Sequence, residues 1–459
     1  MIKHIVAVIL FCALMSGSIQ ASEKLDKSWQ VFMEGLQQAQ QYLKDPRYLL
    51  AEDSGRNLAE GHRYMLGHIN RMIESEMRLD ENFPEFFRSM DMLRKWTGEN
   101  PDAMYLKAPI SADAYYKVSG MAVETMPNMV TFQTITDTPG ATGELAEMAL
   151  CKSQTLDFIN SFDLKMQPGQ PFEILIGPSR PDDYQGLFLL SQKRIACPTT
   201  KSESVKGAAW LSVREIFSDW EKEVPLDMEI VRLDSIGISR APITEDFISQ
   251  KLEKIGRELP NQIKFWQLLQ EVALEVNSDA NGDGRRNMPV NGINAPALPF
   301  TAAGVAGAQQ LYAAGVFDLS DDQALIVKVT APVEPRYIGF QLNNLWFEGP
   351  DQQNYVSSLT GHQLAVASDG SRYYIIAHDD PGVEGWVATT GLKKGVHAMR
   401  FLFESNPSPE LMPSAMATLV KFKDIANHIP ADIAKVSVEQ RRQQIAVRQS
   451  HIKKRWRAH

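Results

Sequence analysis

The stretches "ALIVKVT" (324–330), "RYIGFQL" (336–342), "RYYIIAHD" (372–379) and "HAMRFLFE" (397–404) decide the fold of this 459-residue chain. Each is short, rich in β-branched and aromatic residues, and bounded by Gly, Pro, Asp or Asn, which is how strands of an antiparallel sheet read. A second set lies upstream: "YYKVSG" (115–120), "NMVTFQTIT" (128–136), "PFEILIG" (171–177) and "GLFLLS" (186–191). Between and around the two sets the period changes from two to about 3.6. Leu58, Met65, Leu66, Ile69, Met72 and Ile73 form an apolar stripe within 57–77, and 25–43 carries a similar one, so the region before the first strands is helical. Residues 245–258 and 261–276 read as two helices divided by Pro260, since proline removes a helical N–H and crowds the preceding turn. Residues 437–456 read as a polar, Gln- and Arg-rich helix.

These elements predict an α+β protein with two antiparallel β-sandwich regions, a helical N-terminal segment, a central helical pair and a C-terminal helix. The expected divisions are a leader over 1–21, a helical region over 22–110, and a first β region over 111–240. A helical pair with a long loop then covers 241–310, a second sandwich covers 311–405, and a loop and basic helix cover 406–459. No repeat at solenoid spacing is visible.

The start of the chain points to export. Lys3 and His4 precede an almost wholly apolar run from Ile5 to Met15, and small or polar residues lead to Ala21; this is the pattern of a secretory leader cleaved after Ala21. The apolar run is too short to span a bilayer, and Phe11 before Cys12 is too bulky for a lipidation site. The expected location is therefore periplasmic or secreted, with no transmembrane segment. In an oxidising compartment Cys151 and Cys197 are either bridged or two buried thiols. Overall the chain is acidic, with a formal charge of −9, while 441–459 holds seven basic residues and no acid. An acidic body argues against nucleic-acid binding; the basic helix either packs on that body or touches an anionic surface.

Several constellations carry candidate chemistry. In "NSDANGDGRRN" (277–287), Asp279, Asn281 and Asp283 alternate and Asn287 takes the ninth loop position, a spacing suited to a hard cation. Calcium wants six to eight oxygens, yet the twelfth position, where an EF-hand needs a bidentate Glu, is Val290. A full EF-hand is excluded. A half-loop completed by distant oxygens would bind calcium, and a plain Asn/Asp/Gly turn is the alternative. His362, in a Gly-His-Gln loop, and His378, followed by Asp379 and Asp380, are candidate acid–base groups because His titrates near neutrality; Asp380-Pro381-Gly382 is equally turn chemistry. Trp346 and Trp386, with Tyr355, Tyr373 and Tyr374, could present aromatic faces to a ligand or fill a core. Asn100, Asp102 and Tyr105, in the Glu99–Tyr105 loop, could line a site between the β regions. GxSxG, HExxH and phosphate-binding glycine loops are absent from the sequence.

"YIGFQLNNLWFEGPDQQNYVSSLTGHQLAVASDG" (337–370) and "HDDPGVEGWVATTGLKKGVHAMRF" (378–401), with "AEGHRYML", "KWTGENPDAMYLKAPI" and "VREIFSDWEKEVP" upstream, resemble an exported bacterial family, that of domain of unknown function 1214. The resemblance is strongest in the C-terminal block. It implies export and jelly-roll-like β-sandwich folding, and it implies no activity. The Leu190-to-Ala208 segment with Cys197, and the Asp279-to-Asn287 loop, depart from the family pattern. The resulting expectation is a protein that binds a small organic molecule or glycan in a cleft between its β regions. The alternative is a lyase or hydrolase acting on a polysaccharide or hydrophobic small molecule through His362 or His378 with Asp379 or Asp380.

Overall fold

The computed structural model describes residues 2–45, 55–95, 98–164, 166–197, 199–276, 288–298, 309–405 and 407–458. Two helices open the chain, α1 (Ile2–Leu43) and α2 (Gly55–Met77). The first β unit contains β1 (Phe87–Met90), β2 (Ala103–Pro109), β3 (Tyr116–Met121), β4 (Met129–Ile135), β5 (Thr155–Asn160), β6 (Pro171–Gly177) and β7 (Leu187–Leu190). It continues through β8 (Gln192–Ala196), β9 (Glu203–Gly207), β10 (Trp210–Ile216) and β11 (Asp227–Arg232), with helical turns α3 (Ala146–Ala149) and α4 (Ser161–Leu164) between strands. After helix α5 (Glu245–Val276), the second unit holds β12 (Gln309–Asp318), β13 (Gln323–Thr330), β14 (Tyr337–Asn343), β15 (Ser358–Thr360), β16 (Ser371–Ala377), β17 (Trp386–Ala388), β18 (Lys394–Phe403) and β19 (Ser414–Lys421). Helix α6 (Val438–Ala458) follows the last strand. The α+β class with two sandwich-like units is as expected.

The two units share one plan. The first pairs the sheet β1-β2-β10-β4-β5 with the sheet β11-β3-β6-β7, and the second pairs β12-β18-β14-β15 with β19-β13-β16-β17. Matching strands in chain order, β2 to β12 through β11 to β19, makes the two orders identical once edge strand β1 and the separate β8–β9 hairpin are set aside. Even the departure from an all-antiparallel sheet recurs, because β6 and β7 run parallel, as do β16 and β17. Each sandwich has its own core. Leu106, Val118, Phe132, Ile174 and Val213 fill the first, and Leu325, Phe340, Tyr374, Met399 and Phe401 fill the second.

Strand alternation then sets the relation between the units. In β14 every residue is buried: Ile338, Phe340 and Leu342 face their own core, while Tyr337 joins Ala103, Met129, Ile216 and Leu402 in a cluster shared by both units. The sheets containing β2-β10-β4 and β12-β18-β14 thus face one another. β1 and β2 fall within 22–110, and both pair into the first sandwich, β2 directly against β10.

The expected break at Pro260 is corrected: α5 is one helix with Pro260 inside it. Pro260 cannot donate to the carbonyl four residues earlier, that of Gly256. Gly256 is where α1 crosses α5, so close that a Cβ on Gly35 would lie 2.0 Å from the Gly256 oxygen and a Cβ on Gly256 would lie 2.5 Å from the Val31 oxygen. The carbonyl released by proline therefore sits against a neighbouring helix backbone. Burial of Phe32, Ala39, Ile255, Leu259 and Ile263 at this crossing outweighs the local penalty. Thr244 caps the start of α5, accepting the Phe247 N–H at 3.1 Å.

Helix α6 packs on the body through an unusual face. Arg441, Ile445, Arg448, Ile452 and Arg455 recur at alternating intervals of four and three, the spacing of an apolar helix stripe, and all three arginines are more than nine-tenths buried. Arg441 grips the Asp380 carboxylate with Nε and Nη2 at 2.9 and 3.2 Å. Arg448 donates to the Gln352 and Ser358 carbonyls and to Ser358 Oγ. Arg455 donates to the Pro101 carbonyl at 2.7 Å, and the Arg448 and Arg455 guanidinium groups stack 4.6 and 4.5 Å from the Trp220 ring. The helix therefore bridges the second sandwich, at Asp380 and Ser358, to the first, at Pro101 and Trp220. Cys151 and Cys197 form a disulfide that ties the segment before β5 to the β8–β9 hairpin. Among the described residues, no helix is long and apolar enough to cross a membrane.

Candidate functional site

A cavity of about 330 Å³ lies where the facing sheets meet α5. The first sandwich contributes Tyr105, Arg214 and Ile216; the second contributes Gln310, Tyr312, Asn343, Ala398 and Arg400; and α5 covers it with Trp266, Leu269 and Ala273. Asn294, Leu298 and Met288, from the segment before β12, complete one side. Strand geometry explains the lining. Gln310, Tyr312 and Ala314 are alternate residues of β12, as are Ala398 and Arg400 of β18 and Arg214 and Ile216 of β10, so each set projects from one face.

The equivalence of the two sandwiches reaches into this wall. Tyr105 on β2 pairs directly across from Arg214 on β10, and Tyr312 on β12 pairs directly across from Arg400 on β18. In each pair the arginine lies over the tyrosine ring, 5.0 Å from the centroid for Arg214 and 5.7 Å for Arg400. Matched strands of the two units thus present the same two side chains to one cavity.

The polar wall is built on the loop that precedes β2. Asn100 donates its backbone N–H to the Tyr105 hydroxyl at 2.9 Å and its Nδ2 to the Tyr337 hydroxyl at 3.0 Å. The Tyr337 hydroxyl in turn donates to Asp102 Oδ2 at 2.5 Å. Burial raises the Asp102 pKa against the opposing pull of that hydrogen bond and of Arg455, Arg448 and Arg400. Glu99 accepts the Gly349 N–H at 2.9 Å; burial raises its pKa, while Lys95 nearby acts in the opposite direction. Lys95 is itself buried, which lowers its pKa, and it donates to the Pro350 carbonyl at 2.9 Å and Gln352 Oε1 at 3.0 Å. Arg400 donates to Gln341 Oε1 and to the Gly98 carbonyl, the latter at 2.6 Å. Three amides in the lining, Gln270, Asn294 and Gln310, are 3–5 % exposed, and their side-chain oxygens have no hydrogen-bond partner. Buried polar atoms of that kind are rare and call for an explanation.

The residues singled out in the sequence are distributed as follows. Asn100 and Tyr105 line the cavity, and Asp102 stands directly behind its wall. Trp346 is fully buried away from it, received by Gly61 of α2 and bonded through Nε1 to the Asn57 carbonyl at 2.9 Å; an aromatic platform there is corrected to core packing. Trp386 lies beneath Arg441, with Nε1 donating to the Ala377 carbonyl at 3.1 Å. Tyr373 and Tyr374 are buried, and Tyr355 is exposed.

His378 is held at both nitrogens, Nε2 by the Leu319 carbonyl at 3.2 Å and Nδ1 by Thr389 Oγ1 at 2.8 Å. Asp379 is exposed beside it, and Asp380 is taken by Arg441. His362 sits 3.4 Å from Asp219 at a separate recess of about 250 Å³ beside α6. Neither histidine lines the large cavity, so the expected acid–base grouping of His362, His378 and Asp379 is not assembled there. Asp279, Asn281, Asp283 and Asn287 lie outside the described residues; among the described residues no group of three or more His, Cys, Asp or Glu side chains is placed to hold a metal ion.

Arg214, Tyr312, Arg400, Asn294 and Gln310 were not singled out from sequence. The available signal was an arginine set inside a run of strand-forming residues, in "WLSVREIF" and again in "HAMRFLFE". The tyrosine facing each arginine becomes visible only with the strand register.

Comparison with solved structures supports the architecture. An uncharacterized protein from Burkholderia cenocepacia superposes with a TM-score of 0.68 at 21 % identity, over 88 % of this chain and 99 % of that one. A protein from Vibrio parahaemolyticus aligns over 78 % of this chain and 98 % of its own at 14 % identity, with a TM-score of 0.38. The first likeness is one of fold. No protein-family model and no curated protein matches the chain.

Proposed function

We propose that this chain is an exported binding protein that holds a small organic molecule in the cavity between its two sandwiches. The observation that carries the reading is the cavity of about 330 Å³ walled by matched strands of both units and roofed by α5. Its volume lies within the range of small-molecule sites, roughly 300–1,000 Å³, which are mostly apolar with a few converging polar groups. Trp266, Leu269, Ala273, Met288, Leu298 and Phe347 supply the apolar part, which favours an organic molecule with an apolar body over a glycan. The unbonded oxygens of Asn294 and Gln310 supply polar groups awaiting a partner. Export is supported by the leader-like residues 1–21 and by the Cys151–Cys197 disulfide, a bond suited to an oxidising compartment. Membership in the exported family of domain of unknown function 1214 is part of the same proposal and rests on the C-terminal motifs.

The test is a thermal-shift screen of small acids, alcohols, amides and sugars, run on the wild type and on Ala398→Trp. Ala398 faces the cavity from β18, so the added indole fills it. Compounds that raise the wild-type midpoint by a few degrees and leave the filled variant unmoved support the reading. Equal shifts in both proteins place the binding elsewhere and defeat it.

A further inference from the structure

We infer that the cavity is built for an amphipathic monocarboxylate, its carboxylate held between the paired Tyr105–Arg214 and Tyr312–Arg400 and its apolar body lying under α5. The inference rests on the cavity reading and narrows it to a chemical class.

The charge balance of the wall is the first ground. Arg214 forms no ion pair among the described residues; its guanidinium lies over the Tyr105 ring, and its Nε is buried without a hydrogen-bond partner. Arg400 is about nine-tenths buried, and its hydrogen bonds end on neutral oxygens, those of Gln341 and Gly98. The acid in the lining, Glu99, accepts the Gly349 N–H through Oε1 and neighbours Lys95, while its Oε2 is buried without a hydrogen-bond partner; burial raises its pKa, toward the uncharged form. Asp102 contributes field to Arg400 from behind the wall but gives its Oδ2 to Tyr337. Two guanidinium groups, Arg214 half-buried and Arg400 buried, are therefore set into one wall without a directly bonded carboxylate, a place where an anion can complete the pairing.

The form of the groups is the second ground. A guanidinium presents parallel N–H donors that match the two oxygens of a carboxylate. Stacking on a tyrosine ring orients each donor plane; Arg214 has no hydrogen bond among the described residues, whereas Arg400 gives one N–H of each terminal nitrogen to Gln341 and Gly98 and keeps the second. Duplicated strand pairs supply the arrangement twice, so the anion meets a donor from each sandwich. A ligand of that kind would also join the two units across their interface.

The remainder of the lining sets the rest of the molecule. Trp266, Leu269, Ala273, Met288 and Phe347 line the rest of the cavity without charge, a surface for the apolar body of the molecule. Asn294 and Gln310 each leave an amide oxygen open, a place for a hydroxyl of the ligand or a water it retains. The volume, about 330 Å³, is at the small end of the range for small-molecule sites, roughly 300–1,000 Å³.

Isothermal titration with decanoate and with decanol, which shares its chain but lacks the charge, tests the assignment on wild type, Arg214→Gln, Arg214→Lys and Ala398→Trp. The expected result is that decanoate binds the wild type at least about 10-fold more tightly than decanol. Arg214→Gln should then weaken decanoate by about 10- to 100-fold, the range for losing a charge-assisted contact, leave decanol within about 3-fold, and be partly reversed in Arg214→Lys. Equal affinities for decanoate and decanol, both insensitive to Arg214 and both lost in Ala398→Trp, would overturn the anion assignment while leaving the cavity reading standing. Binding of neither compound, or binding that persists in Ala398→Trp, would overturn both.

Discussion

Arg448→Met removes the centre of the stripe that fastens α6 across the two sandwiches. Arg448 is 1 % exposed and donates three hydrogen bonds, to the Gln352 carbonyl at 2.7 Å, the Ser358 carbonyl at 2.9 Å and Ser358 Oγ at 2.6 Å. Burial lowers its pKa to about 10, so it remains charged at neutral pH. Each such bond is worth about 1.5–3 kcal/mol when one partner is deleted. Part of that sum is returned, because the variant no longer buries a charge and because methionine refills most of the space. The net expectation is a loss of about 3–5 kcal/mol, what remains of three charge-assisted hydrogen bonds after those returns. Arg442→Met, on the exposed side of the same helix, should stay within about 0.5 kcal/mol of wild type. Urea unfolding gives the global value, and hydrogen exchange of α6 amides reports whether the helix detaches before the sandwiches unfold. A cost below about 1 kcal/mol for Arg448→Met, with α6 exchange unchanged, would refute the view that buried arginines hold this helix.

Three further outcomes follow from the same structure. His451 is buried against Phe217 and Trp220 with neither ring nitrogen bonded, and burial followed by Arg455, Lys454 and Arg448 lowers its pKa to about 2. The unfolded chain takes up that proton below about pH 6.5, so stability falls with pH there; His451→Phe should flatten the decline between pH 8 and pH 5 by about 2 kcal/mol in urea titrations. Glu215 behaves with the opposite sign. Burial raises its pKa to about 8, so the native state keeps a proton that the unfolded chain releases, and stability falls as pH rises from about 4.5 toward 8; Glu215→Gln should gain about 2 kcal/mol relative to wild type between pH 4 and pH 6 by the same assay. Gly35→Val places a Cβ 2.0 Å from the Gly256 oxygen and should cost about 1–3 kcal/mol by forcing α1 from α5, with faster exchange in both helices as the readout.

The strands were legible because their signal is local: "ALIVKVT" and "RYYIIAHD" hold enough β-branched and aromatic residues to be read without context. Pro260 misled because its penalty is also local, whereas the compensating contact, Gly256 against Gly35, joins residues far apart in the chain. The arginine stripe of α6 was written in the 441, 445, 448, 452, 455 spacing, but arginine reads as a surface residue until its acceptors and the Trp220 ring are known. Trp346 shows the converse, an aromatic whose burial depends on the hole left by Gly61 on a distant helix. The common plan of the sandwiches resides in strand order rather than in residue identity, so nothing periodic marked it. For the cavity, the loop from Glu99 to Tyr105 was visible as a polar cluster, while its partners Arg214, Tyr312 and Arg400 come from other strands and become neighbours only through register.

The most direct test of ligand binding between the sandwiches is a crystal structure grown with the tightest binder from the titrations. The expected result is ligand density bounded by Tyr105, Arg214, Tyr312 and Arg400, with its apolar part against Trp266 and Leu269. Density at a different surface, with this cavity holding water alone, would contradict it.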